Sequence, residues 1–104
     1  MDLQTLTKAN NERLYSTPAY KRCITEWSIA DWSNALAGEV GELCNVVKKI
    51  RRGDEIDVKD AGKELADIVI YADLLASRLG LDLGDCVRDK FNEVSDRVHS
   101  SIKI

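Results

Sequence analysis

The sequence predicts an all-α fold, a four-helix-bundle-type domain, on three observations. Apolar residues recur at spacings of three and four along three long segments, the period of one helix face. Breakers are scarce, with one Pro and six Gly in 104 residues. Large β-forming aromatics are scarce too, at two Trp, three Tyr and one Phe, so long helices are favoured over many short strands. A chain of this length is expected to be a single domain over residues 1–104, with one modest core.

The first helix is expected over roughly residues 2–13, with Leu3 and Leu6 as a weak apolar edge. Pro18 marks residues 15–23 as a loop, because Pro and the residue before it both resist helix. The second helix carries the clearest stripe: Ile29, Trp32, Leu36, Val40, Leu43, Val47 and Ile50. Ser28 with Asp31 three residues later matches an N-terminal cap. Arg52-Gly53-Asp54 should end this helix, since Gly suits the C-terminal position and the basic residues suit the negative end of the dipole. Asp57 is placed to cap a third helix along Ala61, Leu65, Ile68, Ala72, Leu75 and Leu79, closed by Gly80. Asp82 is placed to cap a fourth along Leu83, Val87, Phe91, Val94 and Val98. Short connections make the last three helices antiparallel neighbours.

Composition excludes several function classes. With 44% hydrophobic and 32% charged residues, the chain is not a disordered tail. A net charge of −3 argues against a nucleic-acid partner, and the one basic cluster, Lys48, Lys49, Arg51 and Arg52, is flanked by acids. No apolar run approaches the ~18 residues of a membrane span, so no membrane partner is expected. Cys23, Cys44 and Cys86 form no CxxC pair and are odd in number. They read as reduced thiols, and with no signal-peptide pattern at the start a cytoplasmic location is expected.

Two features do not suit a bundle built only for stability. Gly38 and Gly41 each cost the second helix about 1 kcal/mol relative to Ala. Small residues at that spacing fit either a close helix neighbour or a close ligand. Glu39 and Glu42 lie three apart beside the apolar stripe, and Glu64 and Asp67 repeat the arrangement on the third helix, running straight into Ile68-Val69-Ile70-Tyr71. Four partly buried carboxylates facing one another would repel and raise their pKa values. A hard divalent cation removes that cost, because carboxylate oxygens are the ligands Mg²⁺, Mn²⁺ and Ca²⁺ prefer. The lone histidine, His99, lies outside either pair, which argues against di-iron and zinc-hydrolase chemistry. Lys90 and Arg97 share a face of the fourth helix. They can neutralise a phosphate chain or form a surface ladder through Glu93. Lys48, Lys49, Arg51 and Arg52 can likewise reach phosphates or merely complement the helix C-terminus.

Glu39-x-x-Glu42, followed later by Glu64-x-x-Asp67, resembles the signature of the all-α, MazG-like nucleoside triphosphate pyrophosphohydrolases. These are related to the dimeric dUTPases and the phosphoribosyl-ATP pyrophosphohydrolases. Ala35-Leu36-Ala37-Gly38-Glu39-Val40-Gly41-Glu42-Leu43 is similar to the first block of that family, Lys63-Glu64-Leu65-Ala66-Asp67-Ile68-Val69-Ile70-Tyr71 to the second, and Lys90-Phe91-Asn92 with Arg97 to the third. The resemblance implies Mg²⁺-dependent hydrolysis of (deoxy)nucleoside triphosphates between the α- and β-phosphates, with Mn²⁺ as a substitute cation. The biological role it implies is nucleotide-pool control or house-cleaning. It implies Glu39, Glu42, Glu64 and Asp67 as metal ligands, with Glu39 or Glu42 also accepting a proton from the attacking water. Lys90 and Arg97 fall to the phosphates, and Tyr71, Trp27 and Trp32 to the sugar or base, although Trp32 belongs equally to the apolar stripe; Lys49 is a further phosphate candidate on its charge alone. Val94 stands where many relatives carry Asn, so Asn92 or Ser95 would supply that polar contact.

Three of the four helices would carry the site, and one small bundle has little room to bury Val46, Val69 and Ile70 as well. A homodimer or homotetramer (a dimer of dimers) is therefore expected. Two other readings stay open from the residues: a non-catalytic helical interaction module whose acids form surface pairs, and a phosphoribosyl-ATP pyrophosphohydrolase.

Overall fold

Four aspartate or serine side chains start four helices. Asp2, Ser28, Asp57 and Asp82 each accept a hydrogen bond from a backbone N–H two or three residues on, which satisfies a donor that the first turn leaves unpaired. In this computed structural model, which describes residues 1–20 and 24–104, the helices are α1 (Leu3–Ser16), α2 (Ile29–Arg51), α3 (Val58–Arg78) and α4 (Leu83–Arg97). No strand occurs among the described residues, and the fold is all-α.

Ser28 and Asp31 form a complete capping box. Gly53 and Gly80 adopt φ of 89° and 74°, the left-handed conformation that ends α2 and α3 at the expected places. α1 runs further than the apolar edge suggests, to Ser16, and the Thr17 N–H closes it onto the Arg13 carbonyl. The expected loop thus begins later. Its residues 21–23, Cys23 among them, lie outside the described residues. Cys44 and Cys86 are exposed free thiols.

The core centres on Trp32, which is 2% exposed and packs with Leu14 of α1 and Leu74 of α3. Ile24, Trp27, Ile70, Tyr71 and Leu75 close around it. Its indole N–H donates to the Ile24 carbonyl at 3.0 Å, so the buried ring leaves no donor unpaired. Arg78 Nε donates to the Trp27 carbonyl at 2.9 Å and holds the segment before α2 against the end of α3.

α2 and α3 run antiparallel. Trp32 meets Tyr71 at one end, and Glu39 meets Glu64 and Asp67 further along, so rising numbers on one helix face falling numbers on the other. α1 joins α3 through polar contacts as well as Leu14. Asp73 is fully buried and accepts from Thr7 Oγ1 and from Asn10 Nδ2, and Asn11 Nδ2 donates to Ser77 Oγ at 3.2 Å.

One chain does not close into a four-helix bundle. Among the described residues α2 packs its length on α3 and meets α1 only through Trp32 against Leu14, while α4 touches α1 and α3 and not α2. The radius of gyration is 16.2 Å, against about 13 Å for a globular chain of this length. Much of the apolar pattern therefore faces outward: Val40, Val47 and Ile50 on α2, Val87 and Phe91 on α4, and Val98 just after it are all exposed. The spacing located true helix faces without saying which of them one chain would cover. Among the described residues, a Cβ added at Gly38 or Gly41 would meet nothing within 4 Å.

Since Trp32 is the largest apolar side chain in the core, Trp32→Ala should cost about 3–5 kcal/mol. Urea unfolding measures this as a lower midpoint. A loss near zero would mean that the core is centred elsewhere.

Candidate functional site

Helical spacing brings the four acids together. Glu39 and Glu42 are neighbours on one face of α2, and Glu64 and Asp67 on one face of α3. Antiparallel packing then sets these faces against each other. Glu39, Glu64 and Asp67 each bring one carboxylate oxygen to within 4.8 Å of the others. Glu42 stands beside this trio rather than in it, and lines the adjoining cavity.

The electrostatics are those of a like-charge cluster. Glu39 is held above the ordinary carboxylate value, first by burial and then by the Glu42 carboxyl, with Asp67 and Glu64 adding to it. Burial likewise raises Glu64, followed by the charge of Glu42 and a hydrogen bond with it, and then by Asp67. One oxygen of Glu64, Oε2, is buried and has no hydrogen-bond partner. A buried carboxylate oxygen without a donor costs free energy. A hard cation between α2 and α3 would satisfy it, and a set made only of carboxylate oxygens suits Mg²⁺ or Mn²⁺.

Beside the acids lies a cavity of about 400 Å³, within the usual range for small-molecule sites. Glu39, Glu42 and Asp67 form its acidic wall. Trp27, Trp32 and Tyr71 form an aromatic wall, with the indole centroids 4.6 Å apart and the Trp32 and Tyr71 rings 6.4 Å apart. Trp32 thus lines the cavity and anchors the core, while Trp27 is half-buried. The third wall is α1, through Asn10, Arg13 and Leu14. The sequence reading missed Asn10 and Arg13. The signal available was weak: an Asn amid a helix with little apolar edge, and no indication of which helix it would meet.

The other site residues fall elsewhere in this chain. Lys90, Asn92 and Arg97 lie on α4, which does not touch α2 among the described residues. Lys90 pairs with Glu93 at 2.8 Å, and its hydrogen bond, helped by its charge, holds Glu93 below the ordinary carboxylate range. The Asn92 side chain bonds the Ile104 backbone at both its oxygen and its nitrogen. Lys49 is exposed in the last turn of α2, outside the cavity wall. Among the described lining residues, Arg13 is the one cation.

No family model, curated protein or solved structure matches the chain. Among the described residues, no helix is long and apolar enough to cross a membrane.

The raised acids make a signed prediction. A carboxyl whose pKa is higher folded than unfolded stabilises the fold below its unfolded pKa and loses that contribution as pH rises through the folded value. In metal-free buffer, a variant carrying Glu39→Gln and Glu64→Gln should therefore gain thermal stability over wild type as pH rises through this window. Comparing the two proteins cancels the opposite contributions of Asp2, Asp31 and Glu93, whose pKa values are lowered. A gap that narrows with rising pH would contradict the cluster's electrostatics.

Proposed function

We propose that this protein is a Mg²⁺-dependent nucleoside triphosphate pyrophosphohydrolase of the MazG-like type, cutting between the α- and β-phosphates. The observation that carries the reading is the junction of two unlike walls. Three carboxylates converge from α2 and α3 to within 4.8 Å, and two of them, Glu39 and Asp67, line an aromatic-walled cavity of about 400 Å³. A nucleoside triphosphate has the same division: a polyanionic chain that requires cations, and a flat base that stacks on rings. The motif resemblance points to the same residues independently.

Glu39, Glu64 and Asp67 would hold the cation, and the unpartnered Glu64 oxygen is the clearest sign that the set fits one. When bound, Mg²⁺ offsets the negative charge of the phosphate chain and activates a water. Glu42 lies outside the trio but on the cavity wall, so it is free to take a proton from that water. This favours Glu42 over Glu39 as the base. Trp27, Trp32 and Tyr71 flank the base or sugar, and Arg13 adds positive charge from α1.

The protein is further proposed to work as a homodimer or homotetramer. The extended shape supports this, as do the exposed apolar faces of α2 and α4, since a second copy could cover both. The proposed phosphate contacts Lys90, Arg97 and Lys49, and Asn92 as a polar contact to the nucleotide, would reach the site from a neighbouring subunit. Nucleotide-pool control in the cytoplasm is the role this chemistry serves best.

A panel of nucleoside triphosphates with Mg²⁺, with pyrophosphate and orthophosphate assayed separately, tests the reaction. Pyrophosphate is the expected product, and orthophosphate alone as the first product would refute α–β cleavage. Glu42→Gln should lower kcat about 10²- to 10⁴-fold with KM little changed. Light scattering should give a mass two or four times the 11.6 kDa of the chain. An active 11.6 kDa monomer would rule out the assembly.

A further inference from the structure

Asn10 is 4% exposed and sits in the cavity wall formed by α1. Its amide nitrogen faces two acceptors on α3: the Ile70 carbonyl at 3.3 Å and Asp73 Oδ2 at 2.9 Å. A backbone carbonyl can only accept, so the nitrogen must lie on that side and the amide cannot be flipped. Both of its hydrogens are thereby spent inside the protein. Among the described residues none donates to the Asn10 carbonyl oxygen. Whatever Asn10 offers to a molecule in the cavity is therefore an acceptor and not a donor.

Asp73 sets this polarity. It is fully buried, its other oxygen takes the Thr7 hydroxyl, and it does not line the cavity. The groups on α3 that face Asn10, a carboxylate and a carbonyl, hold its nitrogen, so at this point of the wall, one turn before Arg13, Asn10 presents its oxygen. A keto oxygen turned toward it would meet like partial charge. An amino group would meet a fixed acceptor.

We infer that Asn10, oriented by Asp73, makes the cavity selective for a nucleobase with an exocyclic amino group, cytosine or adenine, over one with a keto oxygen at the same position. Asn10 is the specificity-determining contact and Asp73 a positioning residue behind it. The inference rests on the reading of the cavity as the base site, and it is tested without turnover.

The probes are nucleoside 5′-monophosphates in matched amino and keto pairs: cytidine against uridine, and adenosine against inosine. Binding to the full-length protein is followed by calorimetry and by quenching of the cavity tryptophans. Wild type should bind the amino member of each pair about 10- to 100-fold more tightly, the cost of leaving a buried acceptor unpaired. In the double variant Asn10→Leu with Asp73→Leu, polar partners are removed together by residues of similar shape, which preserves the packing. There the ratio should fall to about twofold or less. Asp73→Asn keeps an oxygen facing the Asn10 nitrogen and should retain the wild-type ratio. Equal affinities in wild type would overturn the inference, as would no detectable binding, a ratio that survives the double leucine variant, or one that is lost in Asp73→Asn. Pyrophosphate release is scored separately. Discrimination without release would refute the proposed reaction alone, and release without discrimination would refute this inference alone.

Discussion

α2 and α3 must share one interface between an apolar seam and a cluster of like charges. The two demands conflict, since apolar packing expels water and carboxylates need it or a counter-charge. The conflict is resolved by position along the helix pair. Trp32, Leu74 and Tyr71 occupy one stretch, and Glu39, Glu64 and Asp67 the next. The acids are close enough to the seam for burial to raise Glu39 and Glu64, yet Glu39 and Asp67 line a cavity rather than the core. Stability and site chemistry are thus opposite ends of one contact.

α1 depends on that contact and meets α2 only through Leu14. It attaches to α3 through the buried Asp73 and its bonds to Thr7 and Asn10, with Leu14 packed beside Trp32. A buried carboxylate is a costly link unless its oxygens are met by donors, and here both are. The link fixes where α1 sits over the cavity, so the third wall of the site is placed by a polar pair rather than by apolar area. The open arrangement follows: with α2 covered on one side only, the apolar faces of α2 and α4 remain exposed in a single chain.

Local chemistry explains what could be read in advance. Ser28, Asp57 and Asp82 start helices because a short oxygen-bearing side chain can reach an unpaired N–H one turn on, and that depends only on neighbours in the chain. Gly53 and Gly80 end helices for an equally local reason. The acid pairs were legible because three residues is nearly one helical turn. Asn10 and Asp73 were not. They lie 63 positions apart, and nothing in the neighbourhood of either names the other. Asp73 did carry a clue, as an acid set within the apolar run from Ile68 to Leu75, where an unpartnered charge would be unaffordable.

Periodicity along the chain determined that there are helices, where they begin and end, and which residues share a face, because those properties are set within a few residues. It also put the four acids on two faces. Whether those faces meet, which apolar stripes are covered, and that α1 closes the cavity with Asn10 and Arg13 were decided only when the helices packed. Packing is settled by contacts between residues far apart in the chain. Its outcome depends on the shape and polarity of both partners at once, which no single stretch of sequence contains.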